Sequence, residues 1–230
     1  MLRGVFCFSL FILVSFSQAQ LVKVTDRTEV KIKGRSNYMF AMHPTQEKDG
    51  LTYVATIIGE AKNVDVLFGF LKAEAYELKA NFFEMSRLIQ KDNKYIIEWK
   101  VYHGIDSLGL ANNDRYPWNN VYLFSQFKNA RTFIVNGKEV QVPKASFIKF
   151  EMDSIKELAI QYGSEYLVPL EYHSNKYQAS KFVIAISGSV NFAVAGRSWG
   201  MGVKSADVKE IPPCDGWFLT KVYYEFIPNK

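Results

Sequence analysis

The chain has 230 residues, 28 Lys and Arg against 23 Asp and Glu, a formal charge of +5, and 48% hydrophobic residues. The basic surplus is modest and scattered. Clusters such as 31–33 and 72–79 contain or adjoin acids, so nothing in the chain reads as a nucleic-acid footprint.

The first residues, MLRGVFCFSLFILVSFSQAQ, place Arg3 ahead of an apolar run from Val5 to Val14, then Ser15, Ser17, Gln18 and Ala19. This is the charged, apolar and small-residue order of a cleavable secretory signal. Ser17 and Ala19 suit the small positions at the cut, so residues 1–19 are expected to be removed and the mature chain to start at Gln20. The apolar run is too short to span a membrane, which takes about 20 residues, and no membrane span is expected after signal removal. Of the two cysteines, Cys7 lies in the signal, and Cys214 alone remains. An internal disulfide and a cysteine-rich zinc site are thereby excluded for the mature chain. No Asn is followed two places on by Ser or Thr, so there is no glycosylation acceptor. These features favour a bacterial periplasmic, cell-surface or secreted protein. Without a disulfide, roughly 210 mature residues must be held by a sizeable core, and residues 20–230 are expected to form a single β-rich domain.

With 13 Tyr, 18 Phe and 4 Trp, the composition suits pleated, half-buried strands. In chain order, 21–33 alternates Val22, Val24, Val30 and Ile32 against Lys and Thr. Residues 51–58 form a β-branched run, and 64–71 another, continuous enough to suggest a strand buried on both faces. Within 71–90 the spacing predicts a helix over 71–81 and a strand over 82–90. The turn 91–94 then leads into the alternating strand 95–102. Further strands are expected at 121–127, 131–135, 139–142, 146–152, 166–172, 181–187, 189–195 and 217–227. Asn136-Gly137 is a strong two-residue hairpin signal, because both residues tolerate positive φ. Asp153–Tyr162, with Ile155, Leu158, Ala159 and Tyr162 on one stripe and Gly163 at its end, predicts a helix. About ten to twelve short strands with one or two short helices mean a mainly β fold, an antiparallel β-sandwich or a soluble β-barrel. An outer-membrane β-barrel is the less favoured alternative, since the strands lack ten-residue lipid faces.

The segment 104–120, GIDSLGLANNDRYPWNN, is expected to be a long loop between strands, and such loops often carry function. Asp106, Asn113, Asp114, Tyr116 and Trp118 are its candidate ligand-binding residues. The aromatic rings suit a sugar face and the Asn and Asp side chains its hydroxyls. The spacing fits no calcium loop, and Trp118 also suits packing behind Pro117. The Gly-rich run 187–202 matches no phosphate-binding motif and reads as turns and bulges. His43, His103 and His173 form no close ligand motif, although Glu171 and His173 share one strand face. No metal and no cofactor are expected. Together these features favour an exported, non-catalytic β-rich protein that binds a ligand or partner, a carbohydrate or an envelope protein among the candidates, or has a structural role in the envelope. The rival from another class is a secreted glycan-directed hydrolase with paired carboxylates, which leave no local signature.

Overall fold

The computed structural model describes residues 22–29, 31–32, 36, 38–125, 129–152, 157–163, 165–171, 179–186, 190–192, 201–203 and 207–228. Residues 1–19, expected as a signal, lie outside them. The fold is mainly β, with three short helices, and none of its sheets closes into a barrel among the described residues. The chain divides into two units, Met1–Arg115 and Tyr116–Lys230.

The first unit contains β1 (Val22–Thr25), β2 (Phe40–Ala41), β3 (Thr52–Ala61), α1 (Val64–Glu77), β4 (Phe82–Lys91), β5 (Lys94–His103) and α2 (Asp106–Asn113). Its sheet runs β1-β3-β5-β4-β2, antiparallel except where β2 joins β4. Asp92 and Asn93, at φ 52° and 57°, make the two-residue turn that fixes Lys91 opposite Lys94.

Residues 64–71, expected as a strand, are instead the first half of α1. Asn63 caps it by accepting from the Asp65 amide, and Val64, Leu67, Phe68, Leu71 and Ala75 are buried along one stripe. A short apolar run fits either period, and here the cap and the stripe beyond it decide. The helix ends at Glu77, so 71–81 is helical only in part, while the strand expected at 82–90 is present as β4. Phe83 stacks on Trp99 with centroids 4.0 Å apart, and Phe68 meets both rings edge-on. At the end of the other sheet face, Phe40, Met42, Phe82 and Tyr102 form a smaller core with Leu51, Tyr53 and Leu108. Of the expected strand 21–33, Val22–Thr25 is β1, which Asp26 ends at φ 48°, while residues 21, 30 and 33 lie outside the described residues.

The second unit contains β6 (Asn120–Phe124), β7 (Arg131–Val135), β8 (Lys138–Val142), β9 (Ser146–Glu151), β10 (Glu157–Tyr162), β11 (Glu165–Glu171), β12 (Lys181–Ile186), β13 (Val190–Phe192), β14 (Met201–Val203), β15 (Asp207–Ile211), α3 (Pro213–Val222) and β16 (Tyr224–Glu225). Sheet β15-β12-β6-β9-β16 packs on sheet β11-β10-β7-β8 as a sandwich. The first contributes Val121, Leu123, Ile148, Val183, Ala185 and Val208 to the core, the second Phe133, Val135, Val142, Leu158 and Ile160. Asn136 and Gly137, at φ 49° and 76°, form the expected β7–β8 turn.

Two expectations are corrected here. The C-terminal part of 153–162 is strand β10, not helix. Leu158 and Ile160 alternate into the core, and pairing with both β7 and β11 outweighs the helical spacing. Residues 217–227, expected as a strand, lie mostly in α3. Pro213 stands in its first turn, Asp215 faces the positive end of its dipole, and Cys214, Trp217 and Phe218 are buried at helical spacing. Only Tyr224–Glu225 pairs as a strand, beside β9. On the face beneath α3, Tyr122, Phe182 and Trp217 form an aromatic layer.

Candidate interaction surface

The expected loop 104–120 is half helix. Ile105 takes an extended conformation, and Asp106 in the first turn of α2 complements its dipole. Two buried asparagines, Asn81 and Asn112, hold the helix to the unit. Asn81 donates to the Gly104 carbonyl and accepts from the Gly104 amide, both at 2.9 Å. Asn112 accepts from the His43 amide at 2.7 Å and donates to the Ala41 carbonyl at 2.8 Å. Gly109 lies against the Phe40 ring so closely that no side chain would fit. The inward face is thus Leu108, Gly109 and Asn112.

The outward face follows from the helical period. Asp106, Leu110 and Asp114 stand four residues apart, on a stripe directed away from Asn112. Leu110 is 64% exposed, and Ile105 and Tyr38 are comparably open, at 67% and 62%. Ser36 ties Tyr38 to this surface: its hydroxyl donates to Asp106 Oδ1 at 2.8 Å and accepts from the Tyr38 amide at 3.0 Å. Asn113, half-buried, flanks the stripe. The result is an apolar side chain set between two acidic positions.

Three of the five sequence candidates therefore belong to the first unit: Asp106 and Asn113 in α2, and Asp114 as its C-cap. Tyr116 and Trp118 belong to the second. Tyr116 is buried and stacks on Trp217 at 4.2 Å, and burial raises its hydroxyl pKa well above the ordinary value. Trp118 is half-buried and bridges Ala179 through its backbone, while Ser180 donates to the neighbouring Pro117 carbonyl.

No family model, curated protein or solved structure matches the chain. Leu110, Ile105, Tyr38 and Asn81 were not singled out in the sequence. A helical period through 106–114 would have paired Leu110 with the two aspartates, but the glycines and paired asparagines obscured it.

The other candidates are accounted for locally or lie elsewhere. His43 Nδ1 is 2.9 Å from the Thr45 hydroxyl, and His103 Nδ1 is 2.9 Å from the Lys79 carbonyl. His173 and the centre of the Gly-rich run lie outside the described residues. Cys214 is buried in the first turn of α3, with its sulfur 2.9 Å from Asp215 Oδ1. Among the described residues no three or more His, Cys, Asp or Glu gather as a metal site, and no helix is long and apolar enough to cross a membrane.

Proposed function

We propose that this is an exported, non-catalytic β-rich protein that docks a protein of the cell envelope through the outward stripe of α2. The signal-like residues 1–19 support export. The observation that carries docking is Leu110, largely exposed between Asp106 and Asp114, on a helix whose N-cap Ile105 is exposed as well. An exposed leucine offers an apolar anchor for a partner pocket, and flanking carboxylates select a basic rim and steer its approach. Asn81 and Asn112 hold the helix in place before binding, so little ordering entropy is spent on contact.

The test is a photo-crosslinking amino acid placed at 110 in cells, with Gln90 on β4 as the control position. A discrete envelope-protein adduct at 110, lost when Asp106 and Asp114 are changed to Arg, is the expected result. Equal adducts at both positions, or adduct formation insensitive to those changes, would overturn docking through α2. N-terminal sequencing of the exported protein should start at or within a residue or two of Gln20. A start at Met1 would overturn export by a cleaved signal.

A further inference from the structure

We infer that the outer edge of β1 and the adjoining flank of α1 form a groove for an extended partner strand that alternates apolar and acidic residues. This groove is at the opposite sheet edge from β2, on which α2 packs, and is independent of the α2 surface.

The floor is backbone. β1 is the first strand of the sheet, and among the described residues no strand pairs with its outer side. An exposed edge presents a row of amide and carbonyl groups that an incoming strand can satisfy. Sheet edges are common. What distinguishes this one is the wall beside it. α1 packs on β3 with β5 on one flank and β1 on the other. Phe68 turns toward Phe83 and Trp99, on the β4–β5 side. Each residue advances about 100° around a helix, so Phe70 lies on the other flank, the side of β1. It is 43% exposed, although Val64, Leu67, Phe68 and Leu71 of the same helix are buried.

The registers align floor and wall. Val22 is opposite Gly59. Gly59 is where the helix comes closest to the sheet, beneath Leu67 and Leu71, and an added side chain there would collide with Leu67. Phe70 shares a turn with Leu71, on the flank toward Val22, and half-buried Val24 is next on the same face of β1.

The two faces of β1 also set the chemistry of the occupant. Val22 and Val24 face the helix side, while Lys23 and Thr25 face the other, with Lys23 exposed beside Ile58. In an added strand, alternate side chains meet Val22, Val24 and Phe70 and should be apolar. The intervening ones pass Lys23 and gain from an acidic group opposite it.

The test uses the full mature chain and a seven-residue synthetic peptide alternating valine and glutamate. Amide shifts and hydrogen exchange report the site, and titration reports the affinity. The expected result is protection of the Val22–Thr25 amides and at least tenfold weaker binding to Phe70→Ser. Lys23→Glu should transfer the preference to a valine–lysine peptide while leaving the circular dichroism unchanged. Absence of peptide-dependent shifts in β1, or equal affinity for native protein and Phe70→Ser, would overturn the proposal. So would a dimer that Phe70→Ser dissolves and the peptide cannot displace, since the groove would then serve a second copy.

Discussion

Lys48 Nζ lies 2.9 Å from Glu84 Oε2, and the Tyr102 hydroxyl donates to that same oxygen at 3.0 Å. Lys48 comes from the segment between β2 and β3, so one carboxylate ties that segment to two strands. Partial burial pushes the Glu84 carboxyl up. The hydrogen bonds from Lys48 and Tyr102, then the charges of Lys48 and Lys100, outweigh it and leave the pKa below the ordinary 4.5. The hydrogen bond that Lys48 donates to Glu84, and next its interaction with the Tyr102 hydroxyl, raise the Lys48 pKa in turn.

A depressed carboxylate pKa contributes stability that is present above the unfolded value and lost as pH falls through the folded one. Stability of the native protein should therefore decline on the acid side of pH 4.5 more steeply than that of Glu84→Gln. The two curves should converge below the folded pKa. Urea midpoints measured across this range check it, and parallel curves would show that the triad has no linkage to folding. The pair is partly exposed, so added salt should shrink the difference.

Asn112 is fully buried and supplies a donor to the last residue of β2, Ala41, and an acceptor to His43 just beyond it. Removing a partner from buried polar groups costs about 1–3 kcal/mol. Asn112→Ala should lower the urea midpoint by an amount in that range. Asn112→Asp should lower it further at neutral pH, because the donor to Ala41 is lost and a charge is buried. An unchanged midpoint in either variant would mean the two hydrogen bonds do not hold α2 in place.

Gly216 sits inside α3, where alanine would ordinarily stabilise a helix by ~1 kcal/mol. Here the sign should reverse. The Phe182 ring occupies the space of any added side chain, and it is itself stacked on Tyr122 at 5.1 Å and met edge-on by Trp217 at 4.7 Å. Overpacking of this kind costs roughly 1–3 kcal/mol. Gly216→Ala should lower the thermal midpoint, and adding Phe182→Leu should make the Gly216→Ala change less costly. A stabilised Gly216→Ala would refute the close approach of α3 to β12.

What the sequence determined by itself were the features that depend on a residue and its immediate neighbours. Asn136-Gly137 specifies its hairpin through positive φ, and the alternation of Tyr95, Ile97, Trp99 and Val101 specifies a half-buried strand. The mainly β character follows from the same local preferences. Tertiary structure decided the rest wherever two periods fitted one set of residues. Val64–Leu71 is apolar enough for a buried strand, but as a helix it lays Leu67 and Leu71 over Gly59 of β3. Leu158 and Ile160 suit either element until β7 and β11 supply backbone partners on both sides. The candidate site was legible in part. Asp106, Asn113 and Asp114 were visible as polar residues, whereas the exposure of Leu110 between two of them exists only once Asn112 turns inward. Burial is a property of the neighbours that fold against a residue, and they lie some 70 positions away for Asn112.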